Sequence, residues 1–370
     1  MIQLPKVQTQ KEFMDTLYDR INPPRIPTED GSIAGKPTEL KTYLIENNSK
    51  LLQEFYTEDL QINIDQTGLD HVKILTLTDT KESGGTSQFY LDKTDERFLI
   101  FHTFDLAKQV TPIIKRLINS EKIEFDNAWL SSSLLKNISG RTGNEDHGFS
   151  VDHTDYFQQE EIENDDEPIK PDTFSRMDIS GKQSEKILQL LKQDREIEQI
   201  MGYDKITIGR GTKTYGVIDD LDYSGRFRVV KGKSVDDHIS LVNMVKNDYS
   251  QEVKEIEKFR IYGDSNTKSV EGKPFDFVFD RKVEDWNFFL TRIFNAKSPF
   301  RIWGIKSKIG EGFYRVLGVD AHTGHPLDIE VMDNLFRIYL PEGSCGNAIT
   351  RLFVNLQRFF DSKIHCPQLL

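Results

Sequence analysis

The C-terminal part of the chain carries the pattern that most constrains its fold. Apolar and polar residues alternate in short runs at Phe275–Phe279, Phe300–Ile305, Phe313–Val319, Leu327–Val331 and Phe336–Leu340. Alternation of this kind is typical of strands that bury one face. An apolar stripe at helical spacing begins at Trp286, between the first two runs, and another follows the last run. The order β-α-β-β-β-β-α predicts antiparallel sheets with helices packed on one face, which is an α+β fold.

A strongly acidic stretch interrupts the chain near its middle. Residues 141–180 hold 12 Asp and Glu against three Lys and Arg, which accounts for most of the net charge of −12. The part at 160–167 has the composition of solvated chain. At 370 residues the chain is also longer than one core usually needs. The sequence therefore predicts two domains, with these boundaries: 1–39 an extended Pro-rich arm, 40–140 an N-terminal α+β domain, 141–180 an acidic connector, and 181–370 a C-terminal α+β domain.

Apolar spacing predicts further elements in both halves. Leu40, Leu44 and the apolar residues up to Phe55 predict an amphipathic helix, and 187–200 predict another. A capping sequence that begins at Ser234 predicts the start of a long helix, because the hydroxyl of such a residue accepts an unpaired backbone amide. These elements give each half both helices and strands.

Two parts of the chain share an order of features. A run at Phe98–Phe101, a helical pattern and Trp129 are followed later by Phe277–Phe279, a helical pattern and Trp303. Distant duplication of a β-α-β unit explains this order. Chance in a chain rich in Phe and Ile also explains it, and the sequence leaves both explanations open.

Cations and aromatic residues are mixed between 297 and 315. This candidate anion- or nucleic-acid-binding set comprises Lys297, Arg301, Trp303, Lys306, Lys308 and Arg315. Cations that bind phosphates, beside rings that stack on bases, are what single-stranded nucleic acid requires. The alternative is a solvated outer face of a sheet with one exposed Trp. The first functional hypothesis is therefore a non-enzymatic binding or regulatory protein whose partner is a nucleic acid or an acidic protein segment, with the acidic connector as an internal competitor.

The hairpin at 320–330 is rich in metal-ligand types. Its candidate ligands for a divalent metal are Asp320, His322, His325, Asp328 and Glu330. Imidazole and carboxylate groups three to five residues apart across a hairpin can converge on one ion. The alternative is a polar outer face and a turn built on Thr323 and Gly324.

The start of the last helix is a candidate anion site. It comprises Ser344, Cys345, Gly346 and Asn347. Unpaired amides and the positive end of the helix dipole attract an anion there and favour ionisation of a thiol. The alternative is an ordinary helix cap over a small buried Cys. With the hairpin, this site supports the second hypothesis, a hydrolase that uses either a metal or Cys345, and whether the protein is an enzyme stays open.

The cysteine content, the lengths of the apolar runs and the net charge bear on the cellular location of the protein and on its partners. The two cysteines, Cys345 and Cys366, predict reduced thiols, with one terminal disulfide as the alternative. The sequence has no apolar run near the ~18 residues that a membrane helix needs, and its polar start does not resemble a signal peptide. We therefore predict a cytoplasmic protein without a membrane partner. The acidic balance argues against nucleic-acid binding over the whole surface.

Overall fold

The structure is a computed structural model. It describes residues 2–21, 40–49, 59–81, 85–120, 124–142, 148–154, 156–157, 174–181, 183–212, 215–264 and 269–369. Helices and antiparallel sheets make up an α+β fold, as predicted. None of the described helices has the length and apolar character needed to cross a bilayer.

The elements follow one another in this order along the chain: α1 Gln10–Ile21, β1 Lys41–Asn47, β2 Leu60–Gln66, β3 Val72–Asp79, β4 Thr86–Asp92, β5 Phe98–Thr103, α2 Ala107–Ile118, β6 Phe125–Asn127, α3 Ser132–Arg141, β7 Gly148–Thr154, β8 Phe174–Ser180, α4 Ser184–Leu191, α5 Arg195–Ile200, β9 Tyr203–Gly211, β10 Gly216–Asp222, β11 Arg226–Gly232, α6 Val235–Glu257, β12 Tyr262–Asp264, β13 Ser269–Glu271, β14 Phe275–Val278, α7 Trp286–Ile293, β15 Ile302–Gly310, β16 Phe313–Asp320, β17 Pro326–Met332, β18 Leu335–Tyr339 and α8 Asn347–Phe359.

The chain divides into two compact units. Unit 1 comprises Met1–Ala128 and Thr207–Asn247, and unit 2 comprises Trp129–Ile206 and Asp248–Leu370. Each unit therefore combines two separate stretches of chain, whereas the boundaries predicted from the sequence follow the chain without interruption. The predicted boundaries stay a prediction.

Unit 1 is built on an antiparallel sheet. Its strands lie in the order β2-β3-β4-β5-β1-β11-β10, followed by the end of β9, and β6 pairs with β1. One core cluster joins the sheet to α2, and a second cluster on the sheet contains apolar residues of α1 and of the first turns of α6. These two clusters lie on opposite faces of the sheet, so its central strands β1 and β5 are buried on both sides.

The sequence-based prediction of a helix that begins at Leu40 is wrong in the described region. Residues 41–47 form β1, which pairs with β5, β6 and β11. These partners lie far away in the sequence, and every residue from Lys41 to Glu46 is buried between them. The helical spacing of Leu40 and Leu44 contains no information about such distant pairing. The rest of the predicted helix, with Leu51, Leu52 and Phe55, lies outside the described residues.

Unit 2 contains the sheet predicted from the C-terminal pattern. Its strands lie in the order β14-β18-β17-β16-β15, and the predicted sequence of elements, β-α-β-β-β-β-α, is confirmed. Apolar residues of α7 and α8 form one core with the inner face of this sheet. The predicted helix over 187–200 is instead two helices, because the Asp194 side chain accepts the amides of Glu196 and Ile197 and so begins α5.

The predicted connector contributes ordered structure to unit 2. Its two ends form β7 and β8, which pair antiparallel. Tyr156 and Phe157 pack against the core of the unit, and the Phe157 ring centroid lies 4.3 Å from that of Phe289. The most acidic part of the connector, 160–167, lies outside the described residues.

The two segments that suggested a duplication occupy different positions in their sheets. In unit 1, β5 and β6 both pair with β1. In unit 2, β14 and β15 are the two outer strands of the sheet. The duplication stays a prediction, and the strand order adds no support to it.

Candidate functional site

Four polar side chains form a continuous hydrogen-bonded chain inside unit 1. An oxygen of Asp219 lies 2.8 Å from Nδ1 of His238. Nε2 of His238 lies 2.8 Å from the Thr42 hydroxyl, which lies 2.9 Å from Nδ1 of His102. None of the four residues is more than 1% exposed. Burial of a polar group costs free energy unless the group is hydrogen-bonded. These four residues meet that requirement by forming a hydrogen-bonded network inside the core.

Strand register and helix position bring these side chains together. Thr42 of β1 lies directly opposite His102 of β5, and residues opposite each other project from the same face of a sheet. The Ser234 hydroxyl accepts the amide of Asp237 at the start of α6, which places His238 in the first turn. A bulge between Ile218 and Asp219 of β10 breaks the regular pairing with β11. Bulges reorient side chains, and they are frequent beside active sites.

For a neutral His238 and an ionised Asp219, the hydrogen-bonding capacity of each group assigns the protons in this network. An ionised Asp219 can only accept, so Nδ1 of His238 carries the proton between them. Nε2 of His238 is then an acceptor, and the Thr42 hydroxyl donates to it. The Thr42 oxygen in turn accepts the proton on Nδ1 of His102. The lone pair of His102 therefore lies on Nε2.

His102 is neutral at physiological pH. Burial, with a smaller contribution from the neighbouring His238, lowers the pKa of His102 to about 3. Within the described part of the chain, no hydrogen bond engages its Nε2. The uncharged imidazole therefore keeps one nitrogen that no described residue engages.

His102 lies in the wall of a cleft of about 620 Å³. This volume is within the range of roughly 300–1,000 Å³ that is typical of small-molecule sites. The remaining lining residues come from α1, from the turn before β3, from the end of β4 and the turn after it, from β5, and from α6. They are Gln10, Phe13, Met14, His71, Asp92, Lys93, Thr94, Ile100, Ile239, Val242 and Asn243.

Some polar groups of the cleft already form hydrogen bonds with other described residues, and others do not. Asp92 accepts hydrogen bonds from the amide and the hydroxyl of Thr94, so one of its oxygens is occupied. The Lys93 ammonium makes no ion pair with any described residue, and Asn243 adds an amide from α6. Apart from its histidines, the lining carries one cation, Lys93, and one anion, Asp92. The cleft therefore suits a polar molecule of low net charge.

The predicted basic-aromatic set is not gathered on one surface. Trp303 is 48% exposed on the outer face of the five-stranded sheet. Alternation along β15 directs Lys306 and Lys308 to the other face, where Nζ of Lys306 donates to the backbone of Asn287 in α7. Arg301 is buried, with a φ of 53°, before the strand begins.

The other two cations of this set have separate surroundings. Arg315 shares the outer face with Trp303 but forms two hydrogen bonds to Asp328, at 3.0 and 2.6 Å. Lys297 is exposed in the loop between α7 and β15. One paired cation thus lies on the same face as the exposed Trp, and the other cations lie elsewhere.

The predicted metal ligands of the 320–330 hairpin lie on opposite faces of the same sheet. Asp320 is buried and pairs with Arg351 of α8, while its oxygens also accept from the amide of His322 and the hydroxyl of Thr323. On the outer face, Asp328 binds Arg315, and Glu330 accepts the Tyr339 hydroxyl at 3.0 Å. The two faces separate Asp320 from Asp328 and Glu330.

The two histidines of the hairpin lie around its turn. His322 is buried, and His325 is half-buried at the far side of the turn, where Gly324 adopts a φ of 72°. The turn closes through a hydrogen bond from the Asp320 amide to the His325 carbonyl, at 2.8 Å. This arrangement matches the turn that the sequence offered as the alternative to a metal site.

A carboxylate of the protein occupies the predicted anion position at α8. The Gly346 amide donates to Glu257 at 3.0 Å, and Arg260 pairs with the same carboxylate. Ser344, Cys345 and Asn347 are all buried around it. Cys345 and Cys366 are not joined by a disulfide. The favourable position for an external anion is therefore filled from within unit 2.

The sequence reasoning missed the four-residue chain. His102 and Thr42 belong to otherwise apolar strand runs, Phe98-Leu-Ile-Phe-His102 and Thr42-Tyr-Leu-Ile45. A polar residue at a core position of a strand is a detectable signal. The partners cannot be found in this way, because Asp219 and His238 lie more than 100 residues later.

Comparison with known proteins assigns the chain to a family. A family model described as MJECL33-like protein matches residues 1–368. The chain belongs to this family. It is similar to a protein of Methanocaldococcus jannaschii named "Uncharacterized protein MJECL33", with 25% identity over 372 aligned positions that cover 90% of this chain and 88% of that protein. No solved structure matches the chain. These names carry no activity.

Proposed function

We propose that unit 1 binds a small polar molecule in the cleft beside His102. The neutral His102 accepts a hydrogen bond from an O–H or N–H group of this molecule. The observation that carries the proposal is the position of His102, which ends a buried polar chain at the wall of a cleft of about 620 Å³. A fixed acceptor costs no reorganisation when the ligand binds, and a molecule that lacks the donor leaves it unpaired.

The rest of the lining supports this ligand class. Phe13, Ile100 and Val242 supply apolar surface, and Lys93 and Asn243 supply donors. Small-molecule sites typically combine mostly apolar walls with a few polar groups that set orientation. The balance of one cation and one anion selects against highly charged ligands.

Phenol and toluene form a matched pair of probes for this proposal. They have equal numbers of non-hydrogen atoms and differ in one O–H group. We expect phenol to bind at least about tenfold more tightly, since a hydrogen bond to a buried acceptor contributes about 1.5 kcal/mol. Titration followed by NMR should shift the amide resonances of Thr94, His102 and Asn243 with phenol and much less with toluene.

Two variants locate the binding site. Asn243→Trp should fill the cleft and abolish the phenol-induced shifts, whereas His365→Ala, which removes an exposed imidazole in unit 2, should leave them unchanged. Saturable shifts at other residues, or equal affinity for the two probes, would contradict the proposal. Circular dichroism of each variant provides the check on folding.

The function predicted from 297–315 is a second, weaker candidate. Exposed Trp303, Ile305 and Leu317 favour a contact surface at β15 and β16. A nucleic acid or an acidic segment, however, needs cations on that face, and Arg315 is already paired with Asp328. Under this hypothesis, Trp303→Ala with Arg315→Ala, two changes on this face, weakens retention on single-stranded DNA at low salt. Unchanged retention would remove it.

The hydrolase alternatives have less support. A metal at the 320–330 hairpin requires side chains that the sheet separates, and a nucleophilic Cys345 requires access to a buried thiol. Metal content well below one ion per chain in the purified protein would exclude the first. A cytoplasmic location stays a prediction from the sequence.

A further inference from the structure

We propose that Asp219, His238, Thr42 and His102 form a proton relay that makes the unit 1 cleft a catalytic site. The relay removes a proton from an O–H or N–H group of the bound molecule. The proposal rests on the proposed function, because it uses the same cleft and the same atom of His102. It adds a reaction class, general-base catalysis, and a role for each buried residue.

The relay moves three protons and no other atoms. Nε2 of His102 takes the proton of the bound molecule while its Nδ1 proton moves to the Thr42 oxygen, over a separation of 2.9 Å. The original Thr42 proton moves to Nε2 of His238, over 2.8 Å. His102 and Thr42 end neutral, His238 ends as an imidazolium, and the bound molecule ends with one proton fewer.

The carboxylate of Asp219 explains why the relay ends at His238. Its carboxylate lies 2.8 Å from Nδ1 of His238, and both side chains are fully buried. The negative charge of this carboxylate stabilises the positive charge that the relay places on His238. The second oxygen of Asp219 is buried and has no hydrogen-bond partner among the described residues. The carboxylate therefore retains charge that an imidazolium would compensate.

His102 alone would be a poor base in this position. Burial holds its pKa near 3, so a proton that stayed on His102 would be unstable at neutral pH. A relay removes this difficulty, because His102 keeps only one proton throughout. The neighbouring Asp220 does not compete with Asp219, since its carboxylate accepts from Thr207 and Arg228.

In this assignment His102 is the catalytic residue, and the other three act through it. Thr42 is the residue that discriminates a relay from a structural network. Thr42→Val keeps the shape of the side chain and removes the hydroxyl, so the two imidazoles lose their connection. Thr42→Ser keeps the hydroxyl and is the matched control.

Diethyl pyrocarbonate is the probe for the relay. Nε2 of His102 attacks a carbonyl carbon, the bond to the ethyl carbonate leaving group breaks, and the Nδ1 proton of His102 leaves through Thr42. Peptide mapping by mass spectrometry gives the rate of modification at His102 and, as an internal standard in the same cleft, at His71. We expect Thr42→Val to lower the rate at His102 by about 100-fold relative to His71. Thr42→Ser should stay within about threefold of the original chain.

The outcomes separate this proposal from the binding function. Equal His102 to His71 ratios in the original chain and in Thr42→Val overturn the relay and leave the cleft as a binding site. Modification of His71 without His102 also overturns the relay. Protection of both histidines shows that the cleft is closed, and then the proposed function fails as well.

A measurement on the unmutated chain covers the case in which Thr42→Val does not fold. In ¹⁵N NMR at decreasing pH, the relay predicts that the imidazolium appears on His238 while His102 changes from the Nδ1–H to the Nε2–H tautomer. The hydroxyl of Thr42 couples these two events. Double protonation of His102 before His238, or an unchanged His102 tautomer, would overturn the proposal.

Discussion

The buried ion pair between Asp320 and Arg351 supports a quantitative prediction about unit 2. The pair joins the last residue of β16 to α8, and its side chains are 1% and 0% exposed. Nε of Arg351 also donates to the Phe300 carbonyl at 2.8 Å. Arg351→Met keeps the length and apolar stem of the side chain but leaves the Asp320 carboxylate without its cation.

Removal of one partner of a buried pair costs about 3–5 kcal/mol, because the remaining charge stays buried without compensation. With a urea dependence of about 2–3 kcal/mol per molar for a unit of this size, the midpoint of unfolding should fall by about 1.5 M. The assay is specific to unit 2, since all three Trp residues, Trp129, Trp286 and Trp303, belong to it. Their fluorescence follows the unfolding of this unit.

Arg315→Met is the matched control on the same sheet. Arg315 pairs with Asp328, but its side chain is 52% exposed, so solvent screens the interaction. We expect no measurable change of the midpoint for this variant. Equal midpoints for Arg351→Met and Arg315→Met would refute the reasoning that burial sets the cost.

Three further predictions concern single side chains of unit 2. Burial, with a smaller contribution from Asp248, raises the pKa of Glu252 from 4.5 to about 7. The folded chain therefore keeps this proton to a higher pH than the unfolded chain does. The free energy of unfolding consequently falls as the pH rises from 4.5 to about 7. Glu252→Gln should therefore stabilise the unit by about 3 kcal/mol at pH 8 and by little at pH 4.5, and equal effects in urea titrations at both values would contradict this. Phe157→Ala should destabilise unit 2 by about 2–4 kcal/mol, because the ring packs against Phe289 and Phe360. An unchanged urea midpoint, measured by Trp fluorescence, would show that Tyr156 and Phe157 are not part of the core. Burial raises the pKa of the Cys366 thiol to about 11, so it should react with a disulfide reagent at pH 8 only after unfolding in urea, and rapid reaction of the native chain would contradict its burial.

The candidate site in unit 1 and the sites predicted from the sequence differ in whether their polar groups have partners within the protein. At the predicted sites in unit 2, Asp320, Asp328 and the start of α8 each have a partner from the protein. In the unit 1 cleft, His102 and Lys93 have polar atoms that no described residue engages. Unused polar groups at a cleft are the more direct indication of a ligand, since the protein itself gains nothing from leaving them unpaired.

The sequence by itself determined the local elements of the C-terminal half. Strict alternation defined β14 to β18, and helical spacing defined α7 and α8, because each pattern records which side of one element is buried. The Ser234 cap of α6 was also readable, since a cap involves only residues a few positions apart.

Only the tertiary structure decided what β1 is and where the site lies. β1 is a strand because β5, β6 and β11 cover it on both edges, and its own residues do not encode those partners. The site likewise joins Thr42, His102, Asp219 and His238 from four elements of unit 1. Register and packing set distances between residues far apart in the chain, and a single sequence contains no measure of those distances. Patterns within one element were therefore predictable, whereas the meeting of four buried polar side chains was not.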